Sequence, residues 1–309
     1  MKRCRIATIS SVVLLLAPLP LLANDEDKGL MDSAQRMRDG LVKNWLETSR
    51  YIDSWLSDEE SASDNKSRVN ISIEQFIAKS GEWETDVNIR GKLDIPNTKR
   101  KLKLFIDSDT NDKSSLEDKK LNTTQDTFTT IGLEQTRDLK NFQFKTQVGA
   151  KPRYPVDPFA RVKAEVYGNI NSDWYNGFKQ KIWYFHEDGW GQSSEYFLQT
   201  QLNQDYQLRI ITEAQYQKQD GEFELGQFLT LYETIPGSHW HSFTFGVTGS
   251  NQPNTRVNTY FFAANYRRPI IKDWIFLTID PRVRFLRQDS WNPNPELELR
   301  IDILFQQHN

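Results

Sequence analysis

From residue 68 to the end, apolar and polar side chains alternate, and the last stretch shows it best. In Pro295–Phe305, Leu297, Leu299, Ile301, Ile303 and Phe305 share one face, while Glu296, Glu298, Arg300 and Asp302 share the other. A period of two with one greasy and one charged face predicts a strand, because a helix groups residues three and four apart. The same texture recurs upstream. Val69, Ile71 and Ile73 alternate with Asn70, Ser72 and Glu74, and Val87, Ile89 and Leu93 alternate with Asp86, Asn88, Arg90 and Lys92. Leu102, Leu104 and Ile106 follow against Lys101, Lys103 and Asp107. Further strands are expected near 126–137, 140–151, 157–169, 173–186, 190–203, 205–218, 221–233, 239–249, 256–267, 272–287 and 293–305. Glu-Asp-Gly-Trp, Asn-Gln-Asp and Asp-Gly punctuate them as turns. Pro281 falls inside one strand, where it predicts a bulge, a local break or a shorter strand. The connection from Asp107 to Gln125 is the longest.

The tally is about fourteen strands, with twelve as the nearest alternative, joined by up-and-down hairpins. At ~10–14 residues they exceed the ~5–6 of ordinary soluble strands and suit a tilted membrane-crossing strand of ~9–11 residues with overhang. The closing stretch, ending on Phe305 with Leu299, Ile301 and Ile303 on its greasy face, resembles the last strand of Gram-negative outer-membrane β-barrels. That resemblance implies an all-β transmembrane barrel over residues 66–309, with outer-membrane lipid around it and the barrel-assembly machinery as reader of the terminal signal. A soluble periplasmic β-rich protein is the competing reading. Trp174, Trp240 and Trp274 begin odd strands and Trp83, Trp190 and Trp291 begin or precede even ones, which predicts two interfacial girdles.

Residues 1–23 carry Lys2, Arg3 and Arg5 before an apolar run and a small residue, Ala23; this predicts a cleaved secretory leader and export to the outer membrane. The formal charge of the whole chain is −3; loss of the three leader cations takes it to −6, no footing for nucleic acid. The single cysteine, Cys4, leaves with the leader, so no disulfide is expected. Mean hydropathy is −0.68 with 12% aromatic residues, and nothing after residue 23 approaches ~20 consecutive apolar positions. A polar lumen inside a greasy wall accounts for both. Residues 24–65 differ: Leu30, Met37, Leu41, Trp45, Ile52 and Trp55 recur at helical spacing, predicting an amphipathic periplasmic helix and a polar linker. Its apolar stripe needs a cover, either its own protein or a periplasmic partner.

For function, the inward face matters most. Candidate lumen-lining residues are Lys145, Arg161, Lys163, Lys179, Lys181, Arg209, Arg282, Arg284 and Arg300 with Glu165, Glu213, Glu298 and Asp302. Charges two apart on a strand share a face and can pair with the next strand. They predict either a water-filled passage for small polar solutes or a lumen closed by ion pairs, with the N-terminal helix or the 107–125 segment as a plug. Arg282, Arg284 and Arg287 beside Arg300 form a candidate anion-attracting stripe. A non-conducting scaffold that docks a partner through the helix is the alternative. His186, Asp188, Ser193 and Ser194 cluster at one hairpin without a longer hydrolase motif, so no catalytic site is assigned. His239 and His241 share a face without a third ligand, so no metal is assigned, and no cofactor motif occurs.

Overall fold

In the computed structural model the described residues are 36, 40 and 68–306, except 80, 82, 96–101, 111, 122–127, 236–238, 253 and 272–273. Arg36 and Gly40 are helical; the leader and the rest of the helix expected over 24–65 lie outside the described residues. Fourteen strands close into one barrel, each antiparallel to its sequence neighbours. They are β1 (Arg68–Ile77), β2 (Trp83–Ile95), β3 (Leu102–Thr110), β4 (Phe128–Leu139), β5 (Phe142–Lys151), β6 (Asp157–Asn169) and β7 (Trp174–Phe185). The second half holds β8 (Gly189–Gln201), β9 (Tyr206–Gln217), β10 (Glu222–Ile235), β11 (His239–Ser250), β12 (Arg256–Ile271), β13 (Ile275–Leu286) and β14 (Pro293–Gln306). The seam is β1 on β14, from Arg68↔Gln306 to Ile77↔Leu297. Closure leaves no sheet edge unpaired, the condition for carrying strands through hydrocarbon.

The burial pattern inverts that of a soluble protein. On β14 the buried residues are Glu296, Glu298 and Asp302, whereas Leu297, Leu299, Ile301, Ile303 and Phe305 are more accessible. Around the wall Val87, Leu133, Val148, Val162, Ile182, Leu225, Phe243 and Phe262 stand exposed. The greasy face therefore points outward and the charged face inward, as lipid outside and water inside require.

Turn chemistry sets the hairpins. At the end away from the chain termini, Gly189 and Gly221 take φ of 78° and 65°, values that cost a glycine nothing. At the termini end, Asn171 Oδ1 accepts from the Asp173 and Trp174 amides, and Asn203 Oδ1 accepts from Asp205 and Tyr206. Both are Asx turns that close their hairpins without glycine.

Pro281 makes one of the interruptions expected of it, and the tryptophans divide. The ladder between β12 and β13 steps from Ala263↔Arg282 to Tyr266↔Ile279 without changing register. Pro281 lacks an N–H and so interrupts the ladder, but it makes no bulge, and it stays opposite Leu297 on β14. The irregularity lies instead at Pro269/Ile271, and β12 continues past it. Among the tryptophans, Trp83 and Trp190 are exposed at strand starts as girdle residues would be, whereas Trp274 is buried.

Candidate functional site

The connection after β3 turns into the lumen. Its polar run contains one short helix, α1 (Leu116–Leu121). Ser115 starts it as a serine N-cap: Ser115 Oγ accepts from the Asp118 amide at 3.1 Å and donates to the Asp118 carboxylate at 2.7 Å. Leu116 and Leu121, the apolar residues of α1, pack against Phe197, Ile211, Phe228 and Phe261 on the inner wall. This apolar anchor holds α1 to the β8–β12 side.

Charge fixes the rest. Asp112 pairs with Arg161 of β6 and lies 2.8 Å from Lys181 Nζ of β7. Burial alone would push the Asp112 carboxyl up, but Lys181 and Arg161 outweigh it and hold the group well below the usual carboxylate range. Lys113 reaches Asp188 at 2.5 Å, and Lys151 reaches the same carboxylate at 2.6 Å. Gln215 and Gln217 donate to the Ser114 and Lys113 carbonyls at 3.0 and 2.8 Å, and the Leu116 amide donates to Glu224 at 3.0 Å. At the far side, Glu117 pairs with Arg284 at 3.3 Å, and Arg282 Nη1 donates to the Leu121 carbonyl at 2.7 Å. Lys119 donates to Gln215 and to the Asp112 carbonyl; burial, with Lys181 nearby, pulls its ammonium down to about 7.

Register sorts the candidate lining residues into rows across the inner wall. Lys145, Lys163 and Lys181 stand directly opposite one another on β5, β6 and β7. Like charges in that relation repel. Lys163 is offset by Glu165 and Lys181 by Asp112, and Lys145 has no ion pair among the described residues. One row nearer the termini end, Glu165, Lys179 and Glu195 alternate in sign, with Lys179 2.7 Å from Glu195. Glu213 sits opposite Glu195. Arg209 donates to Gln199 at 2.8 Å and lies over the Phe197 ring.

The arginines expected to form an anion stripe are instead engaged. Arg282 binds Glu296 at 2.9 Å and Glu298 at 3.3 Å, and Arg284 binds Glu296. Arg300 lies 3.6 Å from both Glu74 and Asp280, and Arg267 pairs with Asp302. Arg287 stands apart in a 3-10 turn, donating to the Val257 carbonyl at 2.6 Å. The cause is register: Arg282 stands opposite Glu296, and Asp280 opposite Glu298.

The hairpin set His186, Asp188, Ser193 and Ser194 is not assembled into one site. Ser193 is buried on the inner face, Ser194 donates to Gln180 on the other, and Asp188 is held by two lysines. His241 Nδ1 lies 3.0 Å from Glu233, which also accepts from Tyr206.

Inward-facing aromatics are absent from the alternation reading. Phe197, Trp183 and Phe261 lie over Gly177, Gly191 and Gly246, their register partners on the next strand, in the space a Cβ would fill. The rings thereby lie flat on the wall. Glycines inside strand patterns were the available signal for close approach.

The inward segment lies between two cavities. One, of about 600 Å³, opens at the end away from the termini and is lined by Lys113, Phe128, Lys151, Arg153, Gln217 and Asp220. The other, of about 250 Å³, lies on the termini side of α1 between β10, β11, β12 and β13.

No family model and no curated protein matches the chain. Solved structures that align with it include the NanC porin, at 7% identity over 77% of this chain and 100% of that one, with a TM-score of 0.39. Salmonella typhi OmpF in complex with daunomycin aligns at 7% identity over 78% and 97%, TM-score 0.48. The CymD monoaromatic hydrocarbon channel aligns at 6% over 80% and 90%, TM-score 0.49. The closed fourteen-stranded wall, apolar outside and charged inside, is a β-barrel of the outer-membrane type.

Proposed function

We propose that this barrel is a passive outer-membrane channel for small polar solutes, narrowed by the inward segment that carries α1. One observation supports it above the rest. α1 packs toward β8–β12, while charged side chains on the other arc of the inner wall keep contact with solvent: Lys92 and Lys163 are 30% and 32% exposed. Inner-wall lysine side chains that stay this accessible support an aqueous path beside the helix, where a lumen closed by ion pairs would bury them.

The test is single-channel recording of the refolded mature barrel in a planar bilayer, with salt-gradient reversal potentials. Steady openings with an ion preference are expected. A correctly folded, heat-modifiable barrel that stays silent overturns the reading.

A further inference from the structure

At the rim away from the termini, the outer wall carries a groove and two arginines that the ion network does not use. The groove, of about 400 Å³, runs between β10 and β12 and is lined by Phe223, Leu225, Val247, Gly249, Val257 and Arg256. Phe223 and Leu225 are exposed on the outward, apolar face of β10. The ladder between β11 and β12 shifts register at Thr248/Gly249, and Gly249 has no side chain to fill the gap. Asn251 fixes the mouth: its amide donates to the Phe223 carbonyl at 3.0 Å, and its Oδ1 accepts from the Phe223 amide at 2.8 Å. Arg256 is exposed, and its guanidinium has no ion pair or hydrogen bond among the described residues. Arg287, also exposed, donates through Nε to the carbonyl of Val257 and lies over the Trp291 ring, while its two Nη nitrogens are used by no described residue. Trp291 packs in turn on Tyr260, ring centroids 5.2 Å apart, and Tyr260 is the register partner of Val247.

We propose that this groove holds an acyl chain of a phosphorylated glycolipid from the outer leaflet, with the lipid's phosphate on Arg256 and Arg287. The proposal rests on the barrel's place in the outer membrane, with the termini rim toward the periplasm, and is independent of conduction. A groove in a wall bathed by lipid takes an apolar filling, since water there would wet Phe223, Leu225 and Val247. The two arginines select the lipid. A guanidinium offers paired N–H donors that match phosphate oxygens, and each basic group beside an anionic membrane surface adds attraction. No carboxylate competes for them among the described residues. Asp289, two residues from Arg287, accepts instead from Asn294 Nδ2 at 2.7 Å, and Glu222 and Glu224 fall on the inward face of β10. The Trp291–Tyr260 pair sets the depth, because amphipathic rings lie at headgroup level, where lipid phosphates are. A zwitterionic lipid would bring an ammonium along with its phosphate, which the arginines repel. A second copy of this chain docked face to face would bring its own two arginines against these.

The experiment is native mass spectrometry of the refolded mature barrel, released from neutral detergent after equilibration with lipid A, dephosphorylated lipid A or phosphatidylcholine. Retention of one lipid A per barrel is expected, with the other two lipids held about tenfold more weakly or less. Arg256→Gln and Arg287→Gln should each weaken retention about fivefold, the equivalent of ~1 kcal/mol per basic group. Val247→Trp, which fills the groove, should abolish it. Lys218→Gln removes a cation from the same rim and, as the control, should leave retention unchanged. Heat-modifiability shows that each variant has folded, and the two surface arginine variants carry the test if Val247→Trp does not fold. Equal retention of lipid A and its dephosphorylated form overturns the site, as does retention that none of the three groove variants alters. Displacement of lipid A by millimolar inorganic phosphate overturns the lipid in favour of a free anion, and a stable lipid-free dimer gives the groove to a second copy. A barrel that retains lipid A in the expected pattern but never conducts upholds the site and removes the channel.

Discussion

Glu117 and Arg284 meet across the lumen, the carboxylate 3.3 Å from the guanidinium although 167 residues separate them in the chain. Arg284 is also bound to Glu296 on β14, so the wall presents a pre-positioned donor to the carboxylate of Glu117, the second residue of α1. The pair joins the segment that enters from β3 to the strand next to the seam.

Glu117→Ala should therefore loosen α1 while leaving Arg284 its wall partner. A charge-assisted hydrogen bond is worth about 1.5–3 kcal/mol, and its loss is expected to raise single-channel conductance and flicker. Asp112→Asn should act in the same direction and more strongly, because it leaves Arg161 and Lys181 side by side without their anion; breaking a buried pair costs about 3–5 kcal/mol. Conductance equal to the parent in both variants would show that α1 is not the narrow point.

Acidity should act through Lys119 rather than Asp112. The Asp112 carboxyl is held below the carboxylate range, so its pairs stay ionised through the acid range where ordinary carboxylates titrate. Lys119 is pulled down to about 7 from 10.5. Between those values the unfolded or released segment binds a proton that the packed one does not, so packing gains stability as pH rises from about 7 toward 10.5. Below about 7 the ammonium is charged beside Lys181 and that gain is gone. Conductance is expected to rise as the pH falls from about 10.5 toward about 7 and to level off below it, and Lys119→Met should flatten the profile. A midpoint unmoved in the Met variant would assign the titration to another group.

Glycine spacing gives a stability test. A Cβ at Gly177 would fall within the Phe197 ring, and one at Gly246 within the Phe261 ring. Gly177→Val and Gly246→Val should each lower resistance to thermal unfolding in detergent by the equivalent of about 1–3 kcal/mol, the usual cost of overpacking. At Gly168 the nearest atom is Asn176 Oδ1 at 3.6 Å, an ordinary contact, so Gly168→Ala should be close to neutral. Equal effects at all three sites would mean that the rings do not rest on the wall.

The contrast between these positions also explains what could be read from residues alone. Strand number, order and the outward face of β14 follow from period two, because each strand answers separately to lipid and water. The inward rings do not follow: alternation assigns every apolar residue to the greasy face, and Phe197 is recognisable as inward only once Gly177 is known to be its partner. The 107–125 stretch reads in the sequence only as the longest connection and a candidate plug, with no helix in it, because the docking of α1 depends on Glu224, Arg282 and Arg284, all more than a hundred residues on. The arginine row misleads for the same reason. Its neighbours on β13 suggest free cations, and only the register with Glu296 and Glu298 of β14 turns them into an ion network.

The seam supplies the last test. Phe305 pairs with Val69 where β14 closes on β1, so a truncation there has two separable consequences. If Phe305 is a signal for assembly, Phe305→Ala should cut the heat-modifiable barrel recovered from outer membranes severalfold. Refolding of the same variant from denaturant into detergent, where no assembly machinery acts, should reach nearly the parental yield, because the other seam pairs keep their backbone ladder. If Phe305 instead only packs the seam, both yields should fall together. Leu299→Ala, on the same outward face six residues earlier, tells whether the effect belongs to the terminal aromatic or to the greasy face as a whole. Loss confined to cellular assembly and to Phe305 supports the signal; a parallel loss in vitro removes it.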